Sequence, residues 1–405
     1  MEEKNRSRQQ LLAMISFWVG ISSTFFVSIM PEIAQYFSIS IDKTQTMGLI
    51  YYIGYSTGNL LIVFSNRLIG THRTLVGSLS LATLGLAMMS STHNYPVFLA
   101  AWLIASMGIG SLYILPNIII KNTCKAEQNM LSFYGRILGL YTLGTCIGPF
   151  LSGVVSSTVG WQFILTYNIM IGVMLCLYSM QQDCGKPSEN HSQPIACLTD
   201  IRRHNMFIPI ITSIVNASGY LVCINLIFPI LLFYQYGFNA LQVGLVLIIP
   251  NIAIMIGSSI NQYLKHYQPK DLNKLAAYLG FYATIAFIVL HPLFKYSPIY
   301  LIAIFATYGI CRGLTKPSSL SLALDLINRD ANALLPLIIG ISAIPTAIII
   351  QLISLIPEQS MVAVSAVLMC LSLIHIWCSQ KIDKHCNETQ KSDCVTLNDE
   401  RTPAN

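Results

Sequence analysis

Two cations lie four positions apart inside a long apolar segment of this chain, at Arg312 and Lys316. Residues i and i+4 project from the same face of a helix, so the two charges should point in one direction. A charge at the centre of a membrane-spanning helix costs ~2.5–3.5 kcal/mol on insertion scales, so the pair should face a water-filled cavity or meet anions there. Arginine offers a carboxylate or phosphate a bidentate fork, and lysine offers a mobile point charge. The pair therefore predicts contact with an anionic small molecule; the alternatives are pairing with backbone carbonyls at a broken helix or with Asp325.

Amides and phenols on other apolar segments could complete the walls of such a cavity. Each can donate hydrogen bonds to a ligand or accept them. Taken singly, each is better explained as a hydrogen bond between helices, worth ~0.6 kcal/mol. Besides Arg312 and Lys316, the candidate binding residues are Tyr52, Tyr55, Asn59, Tyr141, Asn216, Tyr220, Asn225, Asn251 and Tyr308.

The composition indicates a membrane protein. Of the 405 residues, 54% are hydrophobic and 10% are charged, whereas soluble domains carry roughly 25% charged residues. A helix needs ~20 mostly apolar residues to cross a bilayer. Twelve segments meet that requirement, which predicts an all-α membrane protein with twelve transmembrane helices in two pseudo-symmetric six-helix halves. They are residues 11–34, 46–66, 74–92, 96–120, 131–157, 162–180, 206–234, 240–264, 275–294, 298–324, 332–356 and 360–379.

The cationic residues are distributed unevenly around these segments. Nearly all of those in loops fall on one side of the twelve-span arrangement, and Lys43 and Lys295 lie on the other. By the positive-inside rule, both termini are cytoplasmic. The net charge of +6 therefore reflects topology, and no nucleic-acid partner is expected. The first apolar segment lacks a small-residue cleavage site and is expected to remain as an anchor.

A polar interruption divides the twelve segments into six and six. The expected parts are a first half at 1–180, a cytoplasmic linker at 181–205, a second half at 206–379 and a polar cytoplasmic tail at 380–405. The composition of the tail favours disorder. Gly108 and Pro116 in the fourth segment match Gly309 and Pro317 in the tenth, which favours halves related by an axis along the membrane normal.

Glycines recur through the fifth segment at Gly135, Gly144, Gly148 and Gly153, and Pro149 follows the third of them. Small residues allow two membrane helices to approach backbone to backbone. A Gly-Pro pair bends a span, and the backbone groups that it frees must be satisfied by neighbours. This glycine ladder closely resembles the fifth-helix antiporter motif of the major facilitator superfamily. The resemblance implies a transporter and, within that superfamily, an exporter.

Further motifs resemble the Bcr/CflA-like exporters, which belong to the twelve-helix drug–proton antiporter branch. Pro31-Glu32-Ile33-Ala34 is similar to the sequence that closes their first helix. Asn66 and Arg67, with Gly70 and Arg73, are similar to their loop between helices two and three. The resemblance implies alternating access, in which two halves rock around a central site. An ion gradient, most simply of protons, would drive it.

The chain departs from that branch at three positions. Thr24 stands where the branch has an acid in helix one, Ile104 where it has an arginine in helix four, and Asn66 where the loop has an aspartate. A buried carboxylate carries protons because burial raises its pKa toward the working pH, and threonine cannot do so. Glu32 and Asp325 are the candidate proton carriers that remain; an ordinary place at a helix end is the alternative for both.

Two substrate classes compete. The cationic pair favours export of an anionic metabolite or a carboxylate siderophore, whereas the usual substrates of the branch favour multidrug efflux of lipophilic compounds. The losses at Thr24 and Ile104 leave open a non-transporting membrane sensor or scaffold. No Walker phosphate loop is present, and His291 and His375 stand isolated in the sequence, so no enzyme is indicated.

The expected partners are the lipid bilayer, a small-molecule substrate and a coupling ion, and the expected state is a monomer. No cofactor is expected. No metal site is expected either, because Cys378, His385, Cys386 and Cys394 match no zinc-site spacing. We expect a multi-pass protein of the plasma membrane, which is the inner membrane in a bacterium.

Overall fold

The computed structural model describes residues 2–123, 127–182, 205–263, 267–294, 296–325, 331–354 and 361–399. Within these ranges the chain is helical and forms no β-strand. The helices of the first half are α1 (Glu2–Thr24), α2 (Met30–Tyr36), α3 (Ile41–Thr44), α4 (Thr46–Leu68), α5 (Thr71–Ser90), α6 (Tyr95–Thr123), α7 (Glu127–Val159) and α8 (Gln162–Met180). Those of the second half are α9 (Phe207–Val222), α10 (Phe228–Tyr236), α11 (Ala240–Tyr263), α12 (Pro269–Phe294), α13 (Ile299–Asp325), α14 (Ala331–Ser354) and α15 (Met361–Asp399).

Two short segments depart from α-helical geometry. A 3₁₀ turn, Phe25–Val27, follows α1, and a π-helical segment, Cys223–Ile227, joins α9 to α10. Both lie in the first span of their half. Of the predicted linker, residues 183–204 lie outside the described part of the chain.

Ten helical stretches within the described ranges are long and apolar enough to cross a membrane. One of them, Phe207–Tyr236, combines α9, the π-helical segment and α10. The other two long helices, α5 and α13, occupy the third and tenth predicted segments, and α13 carries Arg312 and Lys316. The all-α membrane fold predicted from composition is confirmed.

The two halves pack their helices in matching pairs. In the first half α6 lies between α4 and α5, and in the second α13 lies between α11 and α12. Glycines allow both approaches: a Cβ on Gly58 would come 2.1 Å from the carbonyl oxygen of Met107, and one on Gly313 would come 2.3 Å from that of Ile254. The fourth and tenth segments are therefore equivalent as helices. Their matched glycines are not, because Gly108 contacts α5 whereas Gly309 contacts α11.

The halves meet along two helix pairs, α4 with α14 and α7 with α11. At the second pair, a Cβ on Gly153 would come 2.6 Å from the carbonyl oxygen of Ala240, and one on Gly244 would come 2.5 Å from that of Pro149. Backbone therefore touches backbone across the two halves, as small residues permit in membrane helices.

The expectation of a disordered tail is wrong for residues 380–399, which continue α15. Lys274 on α12 forms a 2.6 Å ion pair with Asp383. Lys270, also on α12, donates a 2.5 Å hydrogen bond to Asn387. Ile382 is buried in a small apolar cluster with Met206 and neighbouring residues. These tertiary contacts hold the polar extension in helical form, because helical stability in proteins comes mostly from packing.

Candidate functional site

A cavity of about 240 Å³ lies between the two halves and is lined from both. The first half contributes α1, the 3₁₀ turn, α4, α6 and α7; the second contributes α9, the π-helical segment, α11 and α13. The polar and aromatic residues of the lining are Ser23, Thr24, Phe26, Tyr51, Tyr52, Tyr113, Tyr141, Thr142, Thr145, Asn225, Ser258, Arg312 and Lys316.

Arg312 is buried on α13, with 8% of its surface exposed. One guanidinium nitrogen, Nη1, donates a 3.1 Å hydrogen bond to the backbone carbonyl of Ala217 on α9. Arginine carries five N–H donors, so this bond anchors the side chain and leaves donors for a ligand in the cavity. The sequence allows two roles for Arg312, contact with a ligand and pairing with a backbone carbonyl. The structure shows that the side chain can do both at once.

Lys316 lies one turn further along α13 and is half-buried. Its ammonium stands 5.0 Å from the centroid of the Tyr113 ring, which is within cation–π distance. The ion pairs found among the described residues involve neither Lys316 nor Arg312. Asp325, the acid considered for pairing, lies nine residues on, about 14 Å along the helix axis, and its side chain is outside the described part of the chain. The two cations therefore share the cavity without a carboxylate in its described lining.

Tyrosines form the wall opposite the cations. Tyr51 and Tyr52 meet edge to face with centroids 5.5 Å apart, and Tyr113 and Tyr141 do so at 4.8 Å. Tyr55 lines an adjoining lobe of about 30 Å³, which also reaches Arg312 and Lys316. Aromatic rings with a polar end suit a ligand that has both an apolar body and hydrogen-bonding groups.

Two threonine hydroxyls of the cavity lining, those of Thr24 and Thr145, already have hydrogen-bond partners within the protein. Thr24, which stands where the related branch has an acid, lies 3.2 Å from the carbonyl of Gly20 and 3.3 Å from that of Thr145. Thr145 in turn donates to the carbonyl of Thr142. Thr24 therefore serves as a neutral hydrogen-bonded contact between α1 and α7.

Asn225 has unused hydrogen-bonding capacity. It lies in the π-helical segment, lines the cavity, and has a buried carbonyl oxygen with no hydrogen-bond partner among the described residues. π-helical turns occur frequently at functional sites. Asn225 therefore offers the cavity a neutral hydrogen-bond acceptor.

Of the eleven binding residues selected from the sequence, five line the main cavity, namely Arg312, Lys316, Tyr52, Tyr141 and Asn225, and Tyr55 lines the adjoining lobe. The structure does not bring the others to the cavity. Three of them, Asn59, Asn216 and Asn251, donate to the backbone carbonyl four residues earlier in their own helices, namely those of Tyr55, Thr212 and Leu247.

The last two, Tyr220 and Tyr308, stack on each other inside the second half, with centroids 5.5 Å apart. The Tyr308 hydroxyl lies 2.9 Å from that of Thr284, and the Tyr220 hydroxyl lies 3.1 Å from Nδ1 of His375. The other ring nitrogen of His375 lies 3.0 Å from the side-chain oxygen of Asn273. The position of His375 in the sequence suggests an isolated histidine. In the structure its ring instead connects α15 to α9 and α12.

Tyr51 and Tyr113 line the cavity but were not singled out from the sequence. Tyr51 stands next to Tyr52, and adjacent residues on a helix project about 100° apart. The enrichment of tyrosine around Tyr52 and Tyr55 was the available signal for Tyr51. Tyr113 could have been found as a ring within reach of a cation only after the helices were assembled.

The glycine ladder packs α7 against two partners in turn. A Cβ on Gly144 would come 2.3 Å from the carbonyl of Phe17 on α1, and one on Gly148 would come 2.5 Å from the Thr24 hydroxyl. Gly153 then contacts α11 of the other half. The surroundings of Gly135 lie outside the described part of the chain. Pro149 sits inside α7, and its carbonyl accepts a 2.8 Å hydrogen bond from Ser28.

The loop motif between α4 and α5 holds a tight turn. Gly70 has φ 84°, a conformation that favours glycine, and is the N-cap residue that precedes α5. Arg67 and Arg73 are exposed, whereas Asn66 is buried with an unpartnered side-chain oxygen among the described residues. Glu32 lies on α2, outside the described cavity lining.

A helical bundle in two equivalent halves, with a ligand-sized cavity between them, is the architecture of a secondary transporter. The family model of the Major Facilitator Superfamily matches residues 12–343, so the chain belongs to that superfamily. The family and the fold are those of transporters and not of enzymes, in agreement with what the resemblance of the glycine ladder implies. Its place in the Bcr/CflA-like branch stays a prediction.

The curated relatives are distant. Efflux pump apf11 of Gibberella fujikuroi is 26% identical over 169 residues, which are 40% of this chain and 29% of the pump. The uncharacterized MFS-type transporter YbcL of Bacillus subtilis is 21% identical over 256 residues, 62% and 64% of the two chains. Multidrug resistance protein Stp of Mycobacterium tuberculosis is 21% identical over 188 residues, which are 44% of this chain and 35% of Stp. In each case the match spans less than two thirds of the relative.

Two solved structures share the fold. A mutant of the nucleoside transporter NupG superposes with a TM-score of 0.69 at 12% identity, covering 92% of this chain and 98% of that one. The D-xylose-proton symporter superposes with a TM-score of 0.72 at 13% identity, covering 92% and 96%. At these identities the likeness establishes the architecture alone.

Proposed function

We propose that this transporter exports a small organic anion by alternating access. The observation that carries the proposal is the pairing of Arg312 and Lys316 in one cavity whose described lining holds no carboxylate. Two unneutralised cations in a partly apolar cavity favour an anionic ligand, because a carboxylate or phosphate can form charge-assisted hydrogen bonds with both.

The size of the cavity favours a compact ligand. Pockets for drug-sized molecules usually measure ~300–1,000 Å³, and an apolar cavity of ~150 Å³ holds benzene. The 240 Å³ cavity therefore suits an acid little larger than one ring, with its apolar body against the tyrosines. A carboxylate siderophore would have to extend beyond this volume.

Part of the cavity extends toward the cytoplasm in the topology that we propose from the cationic loops, although Phe26, Gly48 and Tyr51 line it nearer the predicted outer side. Leu138 and Thr142 line it from the part of α7 nearer the predicted cytoplasmic end, and Ser258 does so from α11. The close α7–α11 contacts at Gly153 lie toward the predicted outer end. An exporter must bind its substrate from the cytoplasm. The names of apf11 and Stp, an efflux pump and a multidrug resistance protein, favour the same direction.

Multidrug efflux of lipophilic compounds is the second candidate, and the tyrosine wall is the observation that favours it. The two candidates differ in what they need from the cations. A lipophilic cation would be repelled by Arg312 and Lys316, whereas an organic anion requires them.

The test is uptake of labelled benzoate, phthalate, succinate and citrate into proteoliposomes that hold the purified protein and the same unlabelled acid. We expect uptake of at least one acid, and a loss of uptake in Arg312→Gln and Lys316→Gln. Lys384→Gln is the control, because Lys384 is exposed and pairs with Glu388. Unchanged apparent affinity in both cavity variants, or accumulation of ethidium with no uptake of any acid, would reject the anionic substrate.

A further inference from the structure

The cavity holds two positive charges that the described protein does not neutralise. Arg312 has one backbone carbonyl as its hydrogen-bond partner, and Lys316 has the face of Tyr113. The tyrosines of the lining are ordinarily neutral at pH 7. The predicted proton carriers do not alter this balance, since Glu32 lies outside the described lining and Asp325 about 14 Å along α13 from Lys316.

Such a site has a consequence for the empty transporter. To pass between its inward-facing and outward-facing states, a transporter must close the cavity on both sides. Closure removes water from both cations, and an unpaired charge taken out of water is strongly disfavoured. Two like charges one helical turn apart also repel each other, and the repulsion grows as the surrounding dielectric falls. The empty cavity therefore resists closure.

A bound anion reverses this effect. A carboxylate or phosphate that contacts both cations replaces the lost water with charge-assisted hydrogen bonds. A ligand of charge −2 neutralises the pair completely, whereas a monoanion leaves one positive charge enclosed. Closure is then easiest around a dianion.

We infer that this protein is an anion exchanger, which crosses between its two states with an anion bound and prefers compact dianions. The inference rests on the proposed anionic substrate and adds the mode of transport. Outward movement of one anion would be coupled to inward movement of another through the same cavity. The neutral Thr24, where the related branch has an acid, is consistent with a cavity that is reset by an anion rather than by a proton.

The experiment compares two sets of proteoliposomes that contain the wild-type protein. One set is loaded with unlabelled phthalate, and the other contains only an impermeant zwitterionic buffer; uptake of labelled phthalate, succinate and benzoate is then measured. We expect at least tenfold faster uptake of a dianion into the loaded vesicles, and a smaller ratio for benzoate. A pH gradient imposed on the unloaded vesicles should not replace the internal anion.

Lys316→Gln tests the preference for dianions more directly, because it leaves a single cation in the cavity. The ratio of loaded to unloaded uptake should fall in this variant and shift in favour of benzoate, whereas Lys384→Gln should keep the wild-type ratio. Equal uptake into loaded and unloaded vesicles, or uptake into unloaded vesicles driven by a pH gradient, would overturn exchange while leaving the anionic substrate intact. Absence of uptake of every acid in both sets would overturn the proposed function and the exchange together.

Discussion

Ser56 on α4 donates a 2.7 Å hydrogen bond to the backbone carbonyl of Gly340 on α14. The bond joins the two halves of the transporter, and Ser56 is buried where it forms. Under the alternating access that we propose, the halves move relative to each other, so we expect this bond to form in one state and to break in the other.

Ser56→Ala removes the hydrogen bond that the Gly340 carbonyl accepts from Ser56. We expect the free energy of unfolding to fall by about 0.6 kcal/mol and by no more than about 1.7 kcal/mol, the average and the maximum for hydrogen bonds between membrane helices. Denaturant titration of the purified protein measures it. Thr57→Ala is the control, because the half-buried Thr57 donates within its own helix to the carbonyl of Ile53. An equal loss in both variants would assign no special role to the contact between halves.

Alanine at Gly153 and at Gly139 should act in opposite directions, although both residues lie on α7. A Cβ on Gly153 would collide with the Ala240 carbonyl, whereas nothing lies within 4 Å of one on Gly139. Overpacking typically costs about 1–3 kcal/mol, and replacing glycine by alanine in an open helical position gains up to about 1 kcal/mol. Thermal unfolding of Gly153→Ala and Gly139→Ala measures both. A stabilised Gly153→Ala would show that the α7–α11 contact is looser than described.

Glu32 should make stability depend on pH. Burial raises the pKa of this carboxyl from its ordinary value of 4.5, against weaker opposing hydrogen bonds from its own backbone and Ser156. Because the pKa in the folded state lies above that in the unfolded state, stability should decrease as pH rises from the unfolded value through the folded one. Glu32→Gln should be as stable as wild type at low pH and more stable at neutral pH.

The measurement for Glu32 is the unfolding midpoint of both proteins between pH 4 and pH 8. Glu388→Gln is the control, since Glu388 is exposed and its only ion pair among the described residues is a 4.0 Å contact with Lys384. Parallel curves for wild type and Glu32→Gln would show that burial of this carboxyl carries no such penalty.

His375 and Tyr220 should be coupled energetically, because their hydrogen bond is buried. His375→Leu leaves the Tyr220 hydroxyl and the Asn273 oxygen without their partner, at a cost of about 1–3 kcal/mol. Adding Tyr220→Phe removes one of the stranded groups, so the double variant should lose less than the sum of the single ones. Additive losses in unfolding titrations would contradict the bridge.

The sequence predicted the helices well, because span length and apolar composition are local properties. It also predicted that Arg312 and Lys316 share a face, since i and i+4 spacing fixes that for any helix. Tyr308, one turn before Arg312, is a sequence candidate on the same face, but its hydroxyl lies against Thr284 within the second half. Which side chain of a polar stripe reaches the cavity depends on how neighbouring helices pack.

The asparagines illustrate the same limit. Asn59, Asn216 and Asn251 each bond to their own backbone, and a single sequence cannot distinguish that use from ligand binding. For the tail, the sequence predicted less structure than the protein has. Its polar composition indicated disorder, whereas the ion pair of Lys274 with Asp383 depends on two helices meeting in space.

The π-helical segment Cys223–Ile227 gives this span one place where its length can change. A π-helical turn holds about one residue more than an α-helical turn, so the segment accommodates an extra residue without turning the helices on either side of it. Loss of a single residue there would restore a regular helix and leave both flanks close to their present facing. Ala217 would stay beside Arg312, and Phe228 would stay near Phe305, on which it stacks at 4.5 Å. In α9 or α10 the same loss would turn everything beyond it by about 100°.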